Sequence, residues 1–174
     1  MKNTFLKPIF VIALAMTTAF TITFSVVSGQ EATVKQSPDF SLNAPDRTIV
    51  GVWLTTVTQR NCQTGEPVSP PFQGLSTFNE GGTMAEFGAG SSPALRSPAH
   101  GIWQVSNPFH PTFAFTHFRF NADGTFAGRT VVRQTVSLAQ SGNNYTTTGT
   151  VEIFAANGML VGMGCATATA TRFQ

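Results

Sequence analysis

The chain has 174 residues, 41% of them hydrophobic and only 10% charged, with ten Lys or Arg against eight Asp or Glu. Lys2 and Lys7 fall at the N-terminus, so beyond residue 29 the charges balance eight against eight, and the seven arginines there are scattered. That balance argues against a nucleic-acid or anionic-membrane footprint, and the two cysteines lack metal-ligand spacing.

In chain order, the first element is a signal. Lys2 and Lys7 precede a charge-free apolar stretch from Ile9 to Val27, followed by Val27-Ser28-Gly29. A basic start, an apolar stretch and small residues before the cut describe a secretory signal peptide over 1–29, cleaved after Gly29. An uncleaved anchor is the alternative, and Thr17, Thr18, Thr21, Thr23 and Ser25 dilute the stretch against it. The expectation is an exported protein, periplasmic or secreted, with no membrane span after cleavage. In an oxidising compartment Cys62 and Cys165 are expected to form a disulfide, with two free buried thiols as the alternative. The remaining chain of about 145 residues suits one domain with one core. It starts with a flexible leader or strap over 30–47, carrying two prolines and little periodicity.

From 48 to 174 the pattern is all-β. Short runs rich in Val, Thr and Phe alternate with turn signals, placing strands near 49–59, 73–79, 83–88, 101–106, 112–121, 124–139, 144–155 and 159–173. Glu80-Gly81-Gly82, Ala122-Asp123-Gly124, Ser141-Gly142-Asn143-Asn144 and Ala156-Asn157-Gly158 supply positive-φ turn residues. A two-residue loop at Gly142-Asn143 sets Arg133 opposite Glu152 as an outward charge pair and Val132 opposite Ile153. Antiparallel pairing of the first and last strands with Cys62 opposite Cys165 sets Thr55 opposite Arg172. Trp53 and Arg172 then share one face and the cysteines the other. First-to-last pairing closes the sheet, so the expected fold is a single eight-stranded antiparallel up-and-down barrel.

Gly51-Val52-Trp53 opening the first strand, Thr171-Arg172-Phe173 ending the last and the eight up-and-down strands resemble the calycin superfamily of lipocalins, avidins and fatty-acid-binding proteins. The chain is also similar to small exported bacterial lipocalin-like proteins. The resemblance implies that Trp53 sits at the closed base of the barrel with Arg172 packed across its indole, both structural. It implies further that a small, largely apolar molecule occupies the cup, with no cofactor.

A second Gly-x-Trp, Gly101-Ile102-Trp103, and the echo between "TFNEGGTMAEFG" (77–88) and "RFNADGTFAG" (119–128) raise the possibility of two similar half-barrels, with Trp103 a second inward anchor. On the last strand Gly162, Gly164, Ala166, Ala168 and Ala170 share the Arg172 face, leaving room for a pocket or for large residues from the opposite wall. "TFAFTHFRF" is the candidate wall: Phe113 and Phe115 have one parity, Phe118 and Phe120 the other, and a bulge near Thr116-His117 would turn both pairs inward. His117 and Arg119 are the polar residues to watch there, outward-facing on the plainer reading. The loops "QTGEPVSPPF" and "GAGSSPALRSPAHG", the latter carrying Arg96 and His100, are candidates to cover the mouth.

No catalytic nucleophile motif, phosphate loop or dinucleotide fingerprint is present, and His100, His110 and His117 lack zinc-site spacing. Glu86 with His117 or Arg119 could form an acid–base pair across the interior. Three functions remain: a barrel binding a small apolar ligand, a barrel isomerase or cyclase resembling allene oxide cyclases and dirigent proteins, and a filled barrel that meets an envelope partner.

Overall fold

The structure, a computed structural model, describes residues 48–173. The expected signal 1–29 and leader 30–47 lie outside the described residues. Eight strands follow one another: β1 (Gly51–Arg60), β2 (Phe72–Phe78), β3 (Thr83–Gly88), β4 (Ala99–Gln104), β5 (Thr112–Phe120), β6 (Phe126–Leu138), β7 (Asn144–Phe154) and β8 (Leu160–Arg172). Each pairs antiparallel with the next, and β8 pairs with β1, so the sheet is a closed up-and-down barrel. A turn of 3-10 helix, Pro93–Leu95, interrupts the β3–β4 connection. Among the described residues no helix is long and apolar enough to cross a membrane.

Alternation fixes which side chains face inward. Along β1, Trp53 and Thr55 are buried while Val52 and Leu54 are exposed, and along β6 Thr130, Gln134, Val136 and Leu138 are buried between exposed neighbours. One barrel end is closed by a plug of Ile49, Trp53, Phe78, Met84, Val136, Leu138 and Tyr145. Trp53 is fully buried and donates from Nε1 to the Ile49 carbonyl at 2.8 Å. The Arg172 guanidinium lies 4.3 Å over its ring and donates to the carbonyls of Thr48, Val50 and Gly142. Gly51 has φ +128°, and a Cβ there would lie 2.7 Å from Arg172 Nη1. The first Gly-x-Trp therefore carries a glycine because the arginine fork occupies the space of a side chain. At Gly101 a Cβ would meet the Ala114 carbonyl at 2.1 Å. The repeated motif thus answers two different local demands.

The Cys62–Cys165 disulfide is present. Cys62 lies in the turn beyond the end of β1, and it is Arg60 that stands opposite Cys165. Trp53, not Thr55, is therefore opposite Arg172, a shift of two residues that preserves the predicted faces. The β6–β7 register shifts by two in the same way. The turn closes through Ala139 and Asn144 rather than around two residues, pairing Val132 with Val151 and Arg133 with Thr150. Arg133 and Glu152 still meet, diagonally, as an exposed ion pair of little energetic weight.

The half-barrel expectation does not hold. Trp53 opens a strand that leaves the closed end and Trp103 lies on one that returns to it, so the echoed hairpins fall at opposite ends. What they share is turn chemistry: Asn79 and Asn121 each bond backbone and side chain to the threonine four residues on, Thr83 and Thr125.

Candidate functional site

Above the aromatic plug the barrel encloses a cavity of about 410 Å³. Its deep part carries Thr55, Ser76, Gln134, Tyr145 and Thr147, polar positions on inward faces of four strands. Its walls are apolar: Val57, Phe115, Val132, Val151, Ile153 and Ala168. The small β8 residues make this room, since Ala166 and Ala168 line one wall while Phe113 and Phe115, stacked 6.1 Å apart, stand on another.

The mouth is partly covered by the β3–β4 connection, which contributes Gly90, Ser91, Leu95 and Arg96. β4 is short, so this segment takes over where β4 ends: Ser97 N donates to the Phe118 carbonyl, and Phe118 N donates to Ser97 Oγ. That pairing directs Arg96 inward to Glu86, whose Oε2 accepts from Nη2 at 2.7 Å, with both side chains buried. Arg96 also donates to the carbonyls of Gly88 and Ser97. A Cβ at Gly88 would sit 2.8 Å from Glu86 Oε1 and 2.9 Å from Arg96 Nη1, so the glycine leaves the ion pair its space. The other connection, after Cys62, folds back along the rim with Val68 N donating to the Gln59 carbonyl.

β5 runs regularly through Arg119, and the bulge falls at Arg119/Phe120, not at Thr116-His117. Phe113, Phe115, His117 and Arg119 consequently share the inward face and all line the cavity, and Phe120, past the bulge, rejoins the lining. Phe118 points outward, 52% exposed, with its ring edge-on to Phe126 at 5.7 Å. It is the one member of the predicted aromatic wall outside the cavity. The outward placement of His117 and Arg119 is likewise corrected: the regular strand keeps them on the Phe113 face. Trp103 packs edge-on against Phe78 at 6.3 Å and donates to the Asn79 carbonyl. It lines a separate depression on the barrel side rather than the main cavity, and Gln134 borders both.

The electrostatics follow from burial. Desolvation raises the Glu86 carboxyl against the lowering pull of Arg96, and desolvation lowers the His117 imidazole, helped by the charges of Arg96 and Arg119. Tyr145 is raised by burial, opposed by its hydrogen bond with Ser76. His117 Nδ1 lies 3.2 Å from the Phe118 carbonyl. Glu86, then, pairs with Arg96, and not with His117 or Arg119. Arg96 was visible in the sequence only as part of a covering loop, because its partner is fixed by how that loop folds. Gln134, Thr130, Thr55 and Thr147 were legible in principle as polar residues at inward positions of alternating strands.

No cluster of three or more His, Cys, Asp or Glu suited to a metal occurs among the described residues. No protein-family model matches the chain, and a search of curated proteins finds no match.

Proposed function

We propose that the protein is an exported, lipocalin-like barrel of the calycin type that binds a small, largely apolar ligand in its cup. The observation that carries this reading is the cavity of about 410 Å³ with walls of Val57, Phe115, Val132, Val151 and Ile153, within the size range of small-molecule sites. Export is supported by the signal-like start and by the Cys62–Cys165 disulfide. The calycin assignment is supported by the closed eight-stranded barrel and by Arg172 packed on Trp53 at its closed end. A filled barrel that works only through its surface is disfavoured by the same cavity.

Native mass spectrometry of the protein purified from its host's exported fraction tests the reading. A stoichiometric adduct that organic extraction removes supports it. Absence of an adduct, together with failure of a neutral apolar dye to brighten in the barrel, rejects it.

A second reading, an isomerase or cyclase resembling allene oxide cyclases, is favoured by one observation: Glu86 and His117 line the same apolar cavity, one pushed up and the other down in pKa. On that reading the extracted ligand, returned to the protein, changes to an isomer of equal mass, and Glu86→Gln abolishes the change.

A further inference from the structure

Resting on the ligand-binding reading, the cavity's polar inventory specifies more than apolarity. Its ionisable lining consists of Glu86, Arg96, His117, Arg119 and Tyr145. Glu86 and Arg96 satisfy one another. Arg119, near the mouth on β5, donates no side-chain hydrogen bond and forms no ion pair among the described residues, although it faces a largely apolar cavity. Arg119 is half-buried, and its guanidinium presents a planar fork matched to carboxylate that no group among the described residues fills.

At the deep end a second group lacks a partner. Gln134 is 7% exposed, and its Oε1 is buried and accepts no hydrogen bond from the described residues. A buried amide oxygen without a donor costs free energy that a ligand donor recovers. Nothing about barrel closure demands glutamine there: its inward neighbours on β6 are Val132 and Val136. Arg119 is opposite Gly128, and Gln134 is opposite Phe113. The two polar groups therefore lie six residues apart on the β5–β6 pair, roughly 20 Å of strand, with Phe115 and Val132 between them.

We propose that the ligand is an amphiphile with two polar ends: a carboxylate held by Arg119 at the mouth, and a hydroxyl or other donor that reaches Gln134 Oε1, joined by an apolar middle. The orientation follows: acid outward, donor inward. A plain hydrocarbon leaves both protein groups unmatched, and a simple fatty acid leaves one.

The test is displacement of a neutral apolar dye, confirmed by direct calorimetric titration, with dodecanol, dodecanoate and ω-hydroxydodecanoate as probes at pH 8. Dodecanoate is expected to bind about tenfold tighter than dodecanol, and ω-hydroxydodecanoate about tenfold tighter than dodecanoate. Arg119→Gln removes the first preference, and Arg119→Lys keeps most of it. Gln134→Leu removes the second while dodecanoate binding is retained, which a merely structural role would not produce. Thermal melts establish that each variant folds. If the dye binds but the three probes compete equally, or if either preference survives its variant, the two-ended ligand is refuted while the binding barrel stands. If neither dye nor any probe binds the wild type, the binding reading itself fails and this inference with it.

Discussion

Arg96→Met isolates the Glu86 carboxylate in the barrel, and the size and pH dependence of the damage can be worked out beforehand. Both partners are more than nine-tenths buried, and removing one partner of such a pair typically costs about 3–5 kcal/mol. Proton uptake limits the charge-dependent part. A carboxyl of ordinary pKa 4.5 can be neutralised at pH 7 for about 3.4 kcal/mol, and each pH unit of acidification lowers that figure by about 1.4 kcal/mol. The sign follows from linkage. In the wild type the Glu86 carboxyl is already raised, so its contribution is full below 4.5 and is lost as pH rises through its folded value; in the variant that value lies higher still. The charge-dependent part of the Arg96→Met penalty should therefore be large at pH 7 and fall to below about 1 kcal/mol near pH 5, on top of a pH-independent loss of the bonds to Gly88 and Ser97. Urea unfolding at both pH values, on the oxidised protein, measures this, and adding Glu86→Leu should restore much of the loss. Equal penalties at pH 7 and pH 5 would refute the buried pair and, with it, the loop as a cover over the cup.

Cys62→Ser should destabilise the oxidised protein by up to about 4–5 kcal/mol in the chain-entropy model, given a separation of 103 residues; identical melting of variant and wild type without reductant would contradict it. Trp53→Ala should cost about 3–5 kcal/mol and lose ligand only by losing the fold, which parallel melts and dye binding check; selective loss of binding at unchanged stability would show that Trp53 is a ligand residue. His117 is held below its ordinary 6.5 by burial first and then by Arg96 and Arg119, so its contribution is present above pH 6.5 and lost as pH falls through the folded value. His117→Asn should therefore flatten the stability profile between pH 7 and 5, and coincident profiles would argue against an inward imidazole.

Much of the architecture was legible because it depends on local chemistry. Two-residue alternation located the eight strands, and turn glycines such as Gly81, Gly124, Gly142 and Gly158, all with positive φ, punctuated them. Parity set Trp53 and Arg172 on one face, the resemblance to calycins implied their contact, and the disulfide followed from the expectation of an oxidising compartment. Register was not. It depends on how many residues a turn consumes, and the turn closed by Ala139 and Asn144 consumes two more than the shortest hairpin. The site was legible in proportion to its regularity. Phe113 and Phe115 follow the strand, whereas the position of the bulge decides Phe120, and with it whether His117 and Arg119 face inward. Arg96 was out of reach because an irregular segment, anchored by Ser97 on Phe118, carries it to Glu86. Gln134 could have been found by asking which inward positions of β6 are polar.

The seam between β1 and β8 bears on how the chain assembles. Every other strand pairing joins neighbours in sequence, but Trp53 meets Arg172 and Arg60 meets Cys165 across more than a hundred residues. The loop-closure entropy of that contact is met only when the final strand has been delivered. Until then the sheet has two open edges and the indole of Trp53 lacks its guanidinium cover. Arg172, bonded to Thr48, Val50 and Gly142, thus acts as a latch set by the last strand. Because Cys62 and Cys165 flank the same seam, formation of their bond is a covalent record that the ring has closed.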